Sequence, residues 1–312
     1  MQQVTNTILM VRPIHFRMNE QTAVNNYFQE DPHLKNTIVN GRAQEEFDVF
    51  VEKLRTFGVQ VIIAPDIENL DAPDAVFPNN WISLHENGDL TIYPMFAENR
   101  RIERRESIFE LLESKGFVIH NIVDYIAAEK DNLFLEGTGS LALDRQNRKA
   151  YCALSPRADE ALLLEFCEDF EYTPVVFIAY QTVNEQRLPI YHTNVMMCLA
   201  ETFAIICLDC IDDKKERKNV LNHLKEDGKE VIAITEEQVA NFAGNMLQVI
   251  GADNKRLLVM SEAAHKSLTE KQLDTIHKHC EILSSPIDTI ETCGGGSARC
   301  MMAEVFLPKE DH

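Results

Sequence analysis

One local pattern recurs about five times along this chain and limits what it can fold into. Each unit reads as a helix-compatible stretch, a short β-like run, and then two apolar alternating segments joined by turn residues. The segment pairs are AVFPNNWISLH and LTIYPM around ENGD, GSLALDR and AYCALS around QNRK, and the two halves of TNVMMCLAETFAIICLD and of NMLQVIGADNKRLLVMS. The last, SARCMMAEVFLP, has the N-terminal run TILMVRP as its natural partner. Polar turns between alternating apolar runs predict hairpins. Apolar residues at helical spacing predict helices at 43–57, 101–114, 160–170, 213–224 and 269–279. Units of roughly 50 to 60 residues predict a radial repeat closed by the two termini, which would protect the edge strands. No Gly/Pro-rich linker divides the chain, so residues 1–312 are expected to form a single catalytic domain.

Composition narrows the partners. With 50 acidic against 30 basic groups, the formal charge of -20 repels nucleic acid and anionic membranes. No apolar stretch is long enough for a membrane span, and MQQVTNTILMVRP resembles a first strand, not a signal peptide. Eight dispersed cysteines read as free thiols, for which a reducing cytoplasm is the expected compartment. Cys207 and Cys210 have C-x-x-C spacing, and His277, His279 and Cys280 cluster near a helix exit. Neither has the second well-spaced pair that a zinc site needs. A small-molecule substrate is therefore the expected partner, and the composition is compatible with an oligomer.

Three polar residues stand at the ends of apolar runs. Cys300 follows Gly294, Gly295 and Gly296, where backbone is expected to turn tightly or pass close to a ligand, with amides free to donate to an anion. His192 opens HTNVMMCLA, read as a strand that would point His192 and Asn194 to one face. Glu136 leaves LFL for Gly-Thr-Gly-Ser, which lacks the lysine and glycine spacing of a phosphate loop. A thiol, an imidazole and a carboxylate can together run covalent hydrolysis. Each also has an ordinary structural reading as a core cysteine, a satisfied core histidine or a turn carboxylate. Asn79 and Asn80, beside the only tryptophan, are either a recognition patch or a turn. Asp74 adds a carboxylate upstream, and one of Arg100, Arg101, Arg104 and Arg105 is a candidate clamp for a substrate carboxylate.

The order FPNNW, LEGTGS, HTN, GGGSARC resembles the guanidine-modifying enzymes, or penteins, across nearly the whole chain. It is most similar to the amidinotransferase-like branch that holds citrulline-utilisation hydrolases and arginine or succinylarginine dihydrolases. The resemblance implies an α/β fold, a five-bladed α/β propeller with one central site. It implies Cys300 as nucleophile, His192 as acid/base and Glu136 as its partner, with no metal or organic cofactor. The chain departs from the deiminase pattern, which carries aspartates near the positions of Asn80 and Asn194. Carboxylates pair with a guanidinium, whereas a neutral ureido group takes both donors and acceptors, which a carboxamide supplies. The expectation is a cysteine-dependent hydrolase of C–N bonds in a citrulline- or arginine-like amino acid that releases ammonia, with Asn79, Asn80 and Asn194 binding substrate. The alternatives are an arginine deiminase, an amidinotransferase and, outside catalysis, an amino-acid-binding protein.

Overall fold

A computed structural model describes residues 1–66 and 69–310. The repeating unit takes physical form as a three-stranded sheet. Its central strand pairs antiparallel with one neighbour, through a tight turn in every sheet but the first, and parallel with the other through a helical crossover. The first sheet runs Ala303–Glu304, Thr7–Arg12, Gln60–Pro65, with the helix Asn36–Thr56 as its crossover. The others centre on Asp89–Ile92, Lys149–Ala153, Phe203–Ile206 and Arg256–Ser261. Their crossovers are the helices Glu106–Ser114, Glu160–Asp169, Lys214–Glu226 and the pair Glu262–Ser267 and Glu270–His277. A further hairpin, Tyr180–Val183 with Gln186–Pro189, stands outside this scheme.

The predicted hairpins fall where the turn chemistry put them. ENGD reverses the chain with Gly88 at φ +88°, and Ala252–Asn254 forms a 3-10 turn. The N-terminal strand meets the C-terminal one, Ile8 opposite Glu304 and Leu9 opposite Ala303.

The expected closed five-bladed propeller is a different matter, and the strand pairing corrects it. The sheets are small and open, none curls onto itself, and among the described residues no strand pairing joins one three-stranded sheet to the next. The reason lies in the antiparallel outer strands. Ala303–Glu304, Ile82–Leu84, Ala142–Asp144, Met197–Leu199 and Leu247–Ile250 each pair with the central strand of their own sheet and with no other strand among the described residues. Side-chain packing joins the sheets instead. One cluster runs from Val175 and Phe177 through Ile205 and Ile206 to Met260, and a second joins Ile8 and Met10 to Val249 and Val259. The fold is thus mixed α/β, made of separate open sheets over shared apolar clusters.

The chain entering each outer strand comes from a single turn, not from a longer strand. Pro78–Asn80 is a 3-10 turn, Gly137–Ser140 and Thr193–Met196 are one-turn helices, and Asn241–Gly244 and Ala298–Met301 are turns. Glu136, His192, Cys300, Asn79, Asn80 and Asn194 all lie in or beside these turns. No helix among the described residues is long and apolar enough to cross a membrane.

Candidate active site

Glu136 precedes the turn Gly137–Ser140, and its backbone N–H donates to the Arg157 carbonyl (3.1 Å). Its carboxylate is wholly buried. Oε1 accepts from the Phe96 N–H (2.9 Å), and Oε2 lies 2.8 Å from His192 Nε2 and 3.6 Å from Arg157 Nη1. Burial pushes this carboxyl up, but the charge of Arg157, the His192 hydrogen bond and the charge of Arg100 outweigh it and hold the group at about 2. Glu136 is therefore a carboxylate, and Nε2 is the protonated nitrogen that donates to it, leaving Nδ1 as the basic one.

His192 itself has extended backbone, but Thr193–Met196 turns into a helix, so the expected strand from His192 through Asn194 is not formed. Tertiary bonds explain the difference. Thr193 Oγ1 donates to the Ser140 carbonyl (2.6 Å) and accepts from the Ala153 N–H (2.8 Å), which fixes the turn. Burial pushes the imidazole down to about 4 against the pull of Glu136, so the ring is neutral near pH 7. A Cβ on Gly139 would sit 2.5 Å from Asn80 Nδ2 and 2.8 Å from His192 Nδ1, so only glycine lets these two groups approach.

Cys300 lies in the turn before Ala303–Glu304 and is 3% exposed. Its Sγ faces two carboxamides, Asn194 Nδ2 at 3.6 Å and Asn245 Nδ2 at 3.2 Å. The three glycines act mainly through their carbonyls and their lack of Cβ. Gly295 caps the preceding helix at φ +60°, and its N–H is spent on the Glu291 carbonyl. The Gly294 carbonyl accepts from Asn26 and Gln29, and that of Gly295 from Tyr191 Oη. Phe77 packs where Cβ atoms of Gly294 and Gly296 would be.

The remaining candidates separate. Asn79 spends its amide on Thr138 Oγ1 (3.3 Å) and accepts from Asn80 (3.1 Å), so it supports its neighbour. Asn80 Oδ1 accepts from Arg100 Nη1 (2.7 Å). Of the four arginines, Arg100 alone is fully buried beside the site, paired with both oxygens of Glu103 (2.9 Å each). Arg101 and Arg104 pair with Glu129, and Arg105 donates to the Pro65 carbonyl. Asp74 is buried: Oδ2 accepts from Asn19 and Thr22, while Oδ1 has no partner.

Cys207 precedes and Cys210 ends the 3-10 turn Leu208–Cys210, both as buried free thiols, and His279 bonds Thr202 and Glu230. No group of three His, Cys, Asp or Glu among the described residues is arranged to hold a metal ion.

Sequence reasoning passed over Asn245 and Arg157. Asn245 was findable from the repeat, because it stands two residues before its outer strand, as Asn80 does. Arg157 gave no local signal. It enters the site from the loop before the helix Glu160–Asp169 and stacks on Tyr191 (4.8 Å).

Glu136, His192 and Cys300 stand on turns of three different sheets, and the chain as a whole is related to the pentein superfamily of dimethylarginine hydrolases and arginine dihydrolases. Residues 12–307 match the sequence model of the eukaryotic N,N-dimethylarginine dimethylhydrolase family, and the chain belongs to that family. That family is one of hydrolases. No curated protein matches it by sequence. Among solved structures, it is similar to the apo arginine dihydrolase ArgZ of the cyanobacterial ornithine–ammonia cycle (TM-score 0.72, 18% identity). That match covers 97% of this chain and 41% of the other, so this chain spans about two-fifths of that protein. The isolated N-terminal domain of ArgZ, covalently bound to a reaction intermediate, is matched over 99% of its length and 97% of this chain (TM-score 0.69, 17% identity). A dimethylarginine dimethylaminohydrolase adduct with S-methyl-L-thiocitrulline is matched at TM-score 0.63 and 14% identity, over 96% of this chain and 99% of that one. At these identities the likeness to solved structures speaks for the fold.

Proposed function

We propose that residues 1–312 form one catalytic domain that hydrolyses the ureido or guanidino C–N bonds of a free amino acid, citrulline or arginine, through a covalent bond to Cys300. The observation that carries this reading is a buried imidazole, hydrogen-bonded to Glu136 and on the same turn as Asn194, whose carboxamide meets the Cys300 thiol. Asn80 and Asn194 stand where a deiminase would place carboxylates, and an amide serves a neutral ureido group as both donor and acceptor.

In the proposed reaction Cys300 gives its thiol proton to His192 Nδ1 as the sulfur attacks the planar carbon to give a tetrahedral adduct. Nδ1 then delivers that proton to the departing nitrogen, and Glu136 stabilises the imidazolium in between. With citrulline, ornithine leaves first and an S-carbamoyl enzyme remains. Water activated by His192 then releases carbamate, which breaks down to ammonia and carbon dioxide. Arginine consumes one further water and yields a second ammonia. At the amino-acid end, the unpartnered Asp74 Oδ1 suits the substrate ammonium.

The test is product analysis with arginine, citrulline, agmatine, N-succinylarginine and N,N-dimethylarginine. The reading predicts ornithine with one ammonia per citrulline. Citrulline accumulating from arginine would indicate a deiminase, transfer to an added amine an amidinotransferase, and dimethylamine release a preference for methylated substrate. Binding without turnover would contradict it. Cys300→Ala should lower turnover by at least about a thousandfold while leaving the circular dichroism spectrum unchanged.

A further inference from the structure

Asn245 has every hydrogen-bonding position of its carboxamide in use. It lies between the turn Asn241–Gly244 and the strand Leu247–Ile250 and is 1% exposed. Its Oδ1 accepts from the backbone N–H of Arg299 (3.1 Å) and of Cys300 (3.4 Å). Its Nδ2 donates to the Asn194 carbonyl (2.9 Å) and to Cys300 Sγ (3.2 Å). Two donors and two acceptors exhaust what an asparagine side chain offers. The orientation is therefore fixed, because a flipped amide would aim N–H groups at two backbone N–H groups and leave a carbonyl without a donor. The amide must present a donor to the sulfur.

That arrangement does two things. It ties the turn carrying the thiol to the turn that follows His192, through the Asn194 carbonyl. It also sets a hydrogen bond that strengthens when the sulfur becomes anionic, shorter than the one from Asn194 Nδ2 (3.6 Å). The ionisable neighbours do not replace it. Tyr191 is buried, with its hydroxyl donated to the Gly295 carbonyl, and the Arg299 guanidinium turns away to the Met302 carbonyl and Glu304.

We propose that Asn245 is a further catalytic residue of this hydrolase, one that holds the Cys300 turn in register with that of His192 and stabilises the sulfur as thiolate. This inference rests on Cys300 as the nucleophile.

The experiment is alkylation of Cys300 by iodoacetamide across a range of pH, in the full chain without substrate, with the labelled cysteine located by peptide mass. Asn245→Asp keeps the shape and replaces the donor with a negative charge, and Asn245→Ser draws the donor back by one bond from the sulfur without adding charge. A hydrogen bond to an ionised group predicts a loss of roughly ten- to a hundredfold in the alkylation rate at pH 7. The alkylation profile should move to higher pH in both variants, further in Asn245→Asp, with kcat falling more than KM rises. Variants that retain the wild-type melting transition and alkylate on the wild-type pH profile would overturn the proposal. Should Asn245→Asp not fold, Asn245→Ser decides alone. The two assignments fail separately: turnover surviving in Cys300→Ala removes the nucleophile itself, whereas an inactive Cys300→Ala beside an unmoved profile removes only the role of Asn245.

Discussion

Glu136 and His192 show how burial settles protonation at the level of single residues. Both lose water, yet only the carboxylate gains enough from Arg157 and His192 to stay charged, while the imidazole gives up its proton. The stability consequence has one sign for both. The histidine lies at about 4 in the fold against an ordinary 6.5, so protons bind the unfolded chain more tightly, and stability falls as pH drops from 6.5 to 4. The glutamate lies at about 2 against 4.5, so its contribution is full above 4.5 and is lost as pH falls towards 2. We expect the melting temperature of the wild type to decline between pH 6.5 and 4, and His192→Asn to flatten that decline. Equal slopes in the two proteins would show that the imidazole is not buried neutral.

Among elements, the hairpins were legible and the site turns were not. ENGD and the run before Arg256 carry the residues that reverse a chain, and their geometry is local. HTNVMM instead reads as a strand opening, because its helical turn is imposed from outside by Ser140 and Ala153 acting on Thr193. Local propensity loses to such tertiary bonds. The crossover helices can be perturbed without touching the chemistry. Asp159 caps the helix Glu160–Asp169, its side chain accepting from the Ala161 N–H (2.9 Å) and the Leu162 N–H (3.4 Å). Asp159→Ala should cost about 1 kcal/mol of stability. The check is a urea midpoint that falls while kcat/KM stays at the wild-type value. An equal loss of activity would mean that this helix positions Arg157 directly.

For the whole molecule, the sequence discloses the repeat and most of the chemical groups but not how the sheets relate. Period and turn residues reveal five similar units, whereas closure depends on edge strands whose pairing no motif specifies, and these pair only within their own sheets. Cys300, Glu136, His192 and Asn194 were readable because glycines or short polar motifs set them off from apolar runs. Arg157 was not, because a buried arginine in a loop looks like any surface arginine until the fold brings Tyr191 beneath it. The long-range contacts converge on one demand: the thiol must meet a planar carbon beside a basic imidazole nitrogen. The direct test is the intact mass of the enzyme mixed with citrulline and quenched in acid within a turnover. The account predicts a gain of one carbamoyl group, located on Cys300 and absent from Cys300→Ala. Product formation with no adduct at Cys300 on any resolvable timescale, or an adduct on another residue, would contradict it.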